Sequence, residues 1–338
     1  MMIYRKARSH SSLGVSLRDL AVCSALGGSF VILLFTGCFN ISEVKRGGEN
    51  SPTLSQLFAF GSTGSGPGLF IRPTDITIDL EGFLYVCDTG NNRIQKFSKD
   101  GEYLAEFGAF GEEVDRLAYP TALATSGVFL FVADERNERV VQYSRFGTFS
   151  GTLLESNSVG RFFPTGIAIS KGGEVFVTDR EGDRVIVTDL TGKVRRIFGK
   201  GGGRAGDFLD PTGIALGGDG LVYVSDTGNG RIQILDPFGG PVRVITSSLS
   251  QPRGISIDRG GNLFVTDLDE IKIFDRMGNP LLVLHEGEDG AKAPPLQKIS
   301  EGNLQSPTGI FITREDRLYI CDTGNDRVVV YQLTYNAK

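Results

Sequence analysis

Short runs of β-branched and aromatic residues recur along most of the chain, broken by clusters of Gly, Asn and Asp. This is the pattern of antiparallel strands joined by tight turns. One unit is legible in full. Thr212-Gly213-Ile214-Ala215-Leu216 reads as an inner strand, Gly218-Asp219-Gly220 as a turn, and Leu221-Val222-Tyr223-Val224-Ser225 as a second strand. Asp226-Thr227-Gly228-Asn229-Gly230 then turns the chain into Arg231-Ile232-Gln233-Ile234-Leu235, and Val242-Arg243-Val244-Ile245 completes the unit. Prolines at 73, 120, 164, 211, 252 and 307 open six such units, and in each an aspartate follows 14 or 15 residues later: Asp88, Asp134, Asp179, Asp226, Asp267 and Asp322.

Repeats of this period with strand character predict an all-β fold, a six-bladed β-propeller of four-stranded antiparallel blades. The sixth unit has three strands before the chain stops, whereas Leu57-Phe58-Ala59-Phe60-Gly61, ahead of the first proline, matches the fourth-strand phrases Leu104–Gly108 and Arg195–Gly199. The N-terminal strand is therefore expected to complete the last blade, closing the ring and removing an exposed sheet edge.

The phrases Pro-Thr-Gly-Ile, Tyr223-Val224-Ser225-Asp226-Thr227-Gly228-Asn229-Gly230-Arg231-Ile232-Gln233 and the linker Phe60 to Phe70 resemble the NHL-repeat family of six-bladed propellers. The resemblance covers residues 54–335 and speaks for the fold; function has to be argued from a site. Propeller relatives include amidating lyases and lactonases with metal and acid–base groups at the central channel, and some NHL relatives bind RNA.

Composition narrows these options. The chain has two histidines, His10 and His285, so a lyase-type site with several histidine ligands is excluded and a histidine-dyad lactonase is disfavoured. Formal net charge is −5; residues 1–37 hold Arg5, Lys6, Arg8 and Arg18 against Asp19, which leaves 31 basic and 39 acidic side chains in the remainder, a net of −8. Such a body is a poor binder of polyanions, so no nucleic-acid partner is expected.

The N-terminus belongs to a different object. Arg5-Lys6-Ala7-Arg8 forms a basic region, Leu20 to Phe35 is mostly apolar, and Thr36-Gly37-Cys38 follows. This resembles a bacterial lipoprotein signal: residues 1–37 as signal peptide, Cys38 as the lipid-modified residue, 38–53 as a flexible tether and 54–335 as the propeller. An uncleaved signal anchor is the alternative. The expected location is the bacterial cell envelope, with the membrane engaged through the N-terminal lipid.

The Asp and Arg flanking each second turn, such as Asp88 with Arg93, recur in nearly every blade and are read as a turn device, the aspartate accepting turn N–H groups and the arginine pairing with a carboxylate. Cys87 and Cys321 share a repeat position and are expected to be small buried side chains rather than a bridge. Small residues two and four places after each proline are ascribed to crowding at the axis. Exceptions carry more information: Asp75 where Gly is usual, Arg253 for Thr, and Phe311 for a small residue. The turn after Asp267 is short, with Ile271 where Arg is usual, and the connection from His285 to Ser306 is the longest.

These departures make Asp75, Arg253, Asp269, Glu270, His285, Glu286, Glu288, Asp289 and Phe311 the candidate partner-binding residues. The expected function is a non-catalytic, lipid-anchored envelope propeller that recognises a protein, or secondarily a glycan, through its loop face. The alternative is a divalent-metal-dependent hydrolase or lyase with oxygen ligands at the channel mouth, for which Asp75 and neighbouring carbonyls are the candidate calcium donors. No other cofactor is expected.

Overall fold

The computed structural model describes residues 52–284 and 303–335. It holds six four-stranded antiparallel sheets. From the channel outward, blade one is β2 (Pro73–Ile78), β3 (Leu84–Asp88), β4 (Arg93–Phe97) and β5 (Tyr103–Phe107), and blade two is β6 (Pro120–Ser126), β7 (Phe129–Asp134), β8 (Arg139–Ser144) and β9 (Phe149–Glu155). Blade three is β10 (Pro164–Ile169), β11 (Glu174–Asp179), β12 (Arg184–Asp189) and β13 (Val194–Phe198); blade four is β14 (Pro211–Leu216), β15 (Val222–Asp226), β16 (Arg231–Leu235) and β17 (Pro241–Ile245). Blade five is β18 (Pro252–Ile257), β19 (Leu263–Asp267), β20 (Glu270–Phe274) and β21 (Pro280–Leu284).

The last blade joins the chain ends: β22 (Ile310–Ile312), β23 (Arg317–Asp322), β24 (Arg327–Tyr335) and then β1 (Pro52–Phe60). Pairing runs from Pro52 opposite Tyr335 to Phe60 opposite Val328. The strand thus starts two residues before the expected start of the propeller at 54. One short helix, α1 (Ser156–Val159), lies in the connection between blades two and three.

Alternation along the strands sends successive side chains to opposite faces of each blade, so the core is divided among the six blade junctions. Phe70, Ile76, Val86, Phe97, Cys321 and Val328 pack between blades six and one, and Cys87, Ile94, Leu123, Val132 and Tyr143 pack between one and two. The four remaining junctions hold equivalent clusters. Cys87 and Cys321 are free and buried, and they belong to different junctions, on opposite sides of the blade-one sheet.

Each repeated aspartate ends a second strand with no solvent exposure. Its N–H donors come mainly from the preceding linker rather than from the turn, which contributes its asparagine amide and, in blade three, the Gly182 N–H. Asp88 accepts the Ile71 N–H at 2.8 Å from the preceding linker, the Asn91 amide, Arg93 Nε at 2.8 Å and Gln95 Nε2 at 2.9 Å. Ala118, Phe163, Leu209 and Gln305 donate their N–H groups to Asp134, Asp179, Asp226 and Asp322 in the same way. The arginine completes the clamp, Arg93 Nη2 donating to the linker carbonyls of Gly66 and Leu69. Burial of the Asp88 and Asp134 carboxyls raises their pKa even against the adjacent guanidinium.

Blade five solves the same problem with other residues. Glu270, rather than Ile271, stands opposite Asp267, at the place Arg93 holds opposite Asp88, and Lys272 reaches in to pair with Asp267 and donate to the Ser248 carbonyl. The short turn is matched by a cation moved two residues along.

The small inner-strand residues also have a more local cause than crowding at the axis. A Cβ on Gly166, Gly213 or Gly254 would lie 2.4, 2.1 or 2.0 Å from the backbone oxygen of Thr212, Arg253 or Thr308 in the next blade. These glycines are short because neighbouring inner strands touch backbone to side.

Two measurements check this account. Gly254→Ala should destabilise the domain by at least about 2 kcal/mol in urea unfolding, because one strand must move off its neighbour. Deleting residues 52–60 should cost at least about 4 kcal/mol, since Leu54, Phe58 and Phe60 lose their packing and β24 becomes an edge; an unchanged midpoint would contradict closure by β1.

Candidate functional site

The six inner strands enclose a channel of about 870 Å³. Its mouth lies on the face where the inter-blade linkers meet the turns between second and third strands: Gly90 N–H donates to the Ile71 carbonyl at 2.8 Å, and Gly228 N–H to that of Leu209 at 2.9 Å. The glycine allows this approach, because a side chain at Gly90 or Gly228 would strike the linker backbone.

A girdle of threonine hydroxyls runs round the mouth, each donating to a carbonyl of the next blade. Thr89 donates to Pro120, Thr121 to Pro164, Thr178 to Thr212, Thr227 to Pro252, Thr266 to Thr308 and Thr323 to Pro73, at 2.6 to 2.9 Å. These bonds carry the ring through all six junctions. They also occupy much of the polar wall, leaving fewer groups for a ligand.

Four residues preceding the prolines hold left-handed backbone: Arg72, Tyr119, Asp210 and Ser306. Each is held there by a side chain of the preceding blade, which accepts its N–H: Asp326 at 2.7 Å, Asn92 at 2.8 Å, Asp183 at 2.9 Å and Asp269 at 2.7 Å. Such a conformation costs of order 1–3 kcal/mol and persists only when its surroundings fix it. The bonded frame therefore presents Arg72, Tyr119 and Asp210 at the mouth in set positions.

Three of the residues singled out from the sequence meet here: Asp75, Arg253 and Phe311 all line the channel. Phe311 also packs against the junction of blades six and one. Arg253 is exposed at the mouth. Asp269 and Glu270 are not part of the lining; Asp269 holds the Ser306 linker and Glu270 lies 3.1 Å from Lys272. Cys38, His285, Glu286, Glu288 and Asp289 lie outside the described residues.

Other lining residues escaped the sequence reading. The residue after the repeated aspartate is threonine in three blades, but Glu135 in blade two and Arg180 in blade three. These two form an ion pair across the junction of blades two and three, in addition to the Thr121 bond there. Tyr119 lies beneath two guanidinium groups, with Arg136 at 4.8 Å and Arg72 at 5.9 Å from its ring centroid. The signal was present in the sequence as a break in the Asp-Thr-Gly-Asn repeat.

Asp75 is the acid inside the channel wall. Its Oδ2 accepts the Leu123 N–H of blade two at 2.8 Å, and burial pushes its pKa up to about 7. Burial likewise pushes the Cys87 and Cys321 thiols up, with Asp75 adding to the shift. Calcium needs six to eight oxygen donors. The donor set does not fit: one carboxyl oxygen is committed to Leu123, and the neighbouring Thr74 and Thr121 carbonyls accept Thr308 and Thr74 hydroxyls. Among the described residues no three carboxylate, thiol or imidazole groups converge as a metal site would require.

The family model for the NHL repeat matches residues 70–97 and 208–235, the end of the linker and the first three strands of blades one and four. The chain carries NHL repeats. Protein brain tumor of Drosophila melanogaster is 29% identical over 147 residues, 41% of this chain and 14% of that protein. NHL repeat-containing protein 3 of Homo sapiens is 44% identical over 59 residues, 17% of each chain. The matched stretch is thus a small part of these relatives' length. A solved streptogramin B lyase aligns over 86% of this chain and all of its own, with a TM-score of 0.59 at 15% identity, which speaks for a shared propeller fold alone.

Asp75 contributes a pH dependence of its own to this NHL propeller. Its folded pKa of about 7 exceeds the ordinary 3.8, so the folded state holds a proton that the unfolded state releases, and stability falls as pH rises from about 4 through 7. Asp75→Asn should therefore gain on the wild type by about 1–2 kcal/mol between pH 5 and pH 8, less than the full shift implies because channel water screens the charge. Urea unfolding at the two pH values checks this; a constant difference would contradict it.

Proposed function

We propose that this NHL propeller is a non-catalytic, lipid-anchored binding module of the bacterial cell envelope, recognising a protein through the linker-bearing face around the channel mouth. The observation that carries the reading is the contrast between a wall whose polar groups are largely spent on holding the ring and a rim of exposed side chains. Arg72, Arg136 and Arg253 stand there with the half-buried Tyr119 and the exposed linker residues Phe110, Val114 and Leu209. Aromatic and arginine side chains on a rigid frame are the composition of protein-interface hot spots. A mouth of this kind favours docking over turnover, since Asp75 in its wall is already bonded to backbone and Glu135 is paired with Arg180. The anchor rests on the sequence of residues 1–38.

Cross-linking in native membranes, followed by purification, tests this. The wild type should bring down one protein in near-equal amount, and the combined Phe110→Ala, Arg253→Glu variant should recover at least about tenfold less, as expected for loss of two hot-spot contacts. Equal recovery with both, or none with either, would contradict recognition by this rim.

A further inference from the structure

The opposite face carries its own pattern. There the hairpins between first and second and between third and fourth strands end in apolar side chains: Leu80, 90% exposed, in blade one, Val128 and Phe146 in blade two, Leu190 in blade three, Phe238 in blade four and Met277 in blade five. Phe146 is 78% exposed, Phe238 77% and Met277 56%. Hairpin tips of a solvent-facing sheet are ordinarily polar, as Asp100 is at the corresponding turn of blade one.

These tips are built rigidly. The Phe238 and Met277 N–H groups each donate to the aspartate two residues before them at 2.8 Å, so the carboxylates of Asp236 and Asp275 turn inward to cap the hairpins. Contacts between neighbouring hairpins set them on one face: Arg145 pairs with Glu81 of the preceding blade, and Arg196 donates to the Pro237 carbonyl at 2.8 Å. Guanidinium groups lie against the aromatic tips, Arg145 at 4.9 Å from the Phe146 ring and Arg196 at 5.3 Å from that of Phe238. Exposed Lys99, Lys171, Arg259, Arg276 and Arg314 stand at the same set of turns.

The chain comes to this face from its N-terminus. β1 begins at Pro52, opposite Tyr335, at the end of the last blade away from the linkers. Only 13 residues separate Cys38 from Pro52, a length whose r.m.s. span as a flexible chain is about 20 Å. The apolar tips project singly, with these cations and the exposed acids Glu81, Asp100, Asp219 and Glu315 between them, and Asp258, Arg259, Arg276, Met277 and Tyr335 border a cavity of about 660 Å³ on the same face. The tips and cations match a lipid interface, where apolar ends enter the acyl boundary while guanidinium and ammonium groups meet headgroup phosphates.

We propose that this hairpin face rests on the lipid headgroup layer with Leu80, Phe146, Phe238 and Met277 inserted, which directs the linker-bearing face away from the membrane. The proposal rests on the lipid-anchor reading for its geometry and is tested apart from it. The chain contains no tryptophan, so a single one introduced by substitution is a clean reporter. Full-length Phe146→Trp, Phe238→Trp and, on the other face, Phe110→Trp are each mixed with excess phosphatidylethanolamine/phosphatidylglycerol vesicles brominated near the headgroup. Leu80→Trp, at the most exposed tip, covers the case in which an aromatic replacement disturbs folding.

Fluorescence of the tryptophans at 80, 146 and 238 should be quenched at least about twofold more than that at 110, as expected for side chains in the interfacial layer. Equal quenching at both faces, stronger quenching at 110, or none at any position overturns the proposal. Flotation of the wild type and Cys38→Ser with the same vesicles reports the anchor separately. Flotation lost on substituting Cys38, without selective quenching, keeps the anchor and removes the docked face; selective quenching without Cys38-dependent flotation does the reverse.

Discussion

A carboxylate with no exposure to water, at the end of each blade's second strand, is the interaction on which the rest depends. An isolated ion in such a place costs several kcal/mol. Here each aspartate is surrounded by donors from three sources: the linker before it, and in most blades the asparagine of its own turn and a guanidinium two residues further on. Arg93, Arg139 and Arg231 carry the bond outward by donating to linker carbonyls. A segment that would otherwise be a loose connection thereby becomes part of the folded frame, and blade, turn and linker are fixed together.

That frame explains why the rim can vary without loss of the ring. All six blade junctions are joined at the mouth by a threonine bonded to the next blade, and the junction of blades two and three adds the Glu135–Arg180 pair. Blade five replaces arginine by Lys272 and still satisfies Asp267. The linker-bearing face becomes a rigid display of Arg72, Tyr119 and Arg253, while the opposite hairpins, capped by their own aspartates, display apolar ends. The two faces therefore differ in chemistry although they are made from the same repeat.

The architecture was legible because it is written six times: the prolines, the aspartates and the displaced fourth strand each appear as a spacing. Asp75, Arg253 and Phe311 were legible as breaks in that spacing, and all three line the channel. Partner choice was not, because a hydrogen bond between Asp88 and the Ile71 N–H depends on how a linker folds back across its blade, which no local pattern encodes. For the same reason Asp269 looked available for a partner, whereas it holds the Ser306 linker. Phe146 and Phe238 are not marked out by the repeat spacing; they become a pattern only when the ring places their hairpins on one face.

The central claim is that the linker face is framework rather than mobile loop. Amide hydrogen exchange tests it most directly, because local opening is reported segment by segment. The account predicts that the Ile71, Ala118, Phe163 and Leu209 amides, each bonded to a buried aspartate, exchange as slowly as those of the second strands. Exchange of these linker amides as fast as that of the hairpin tips on the opposite face would contradict it.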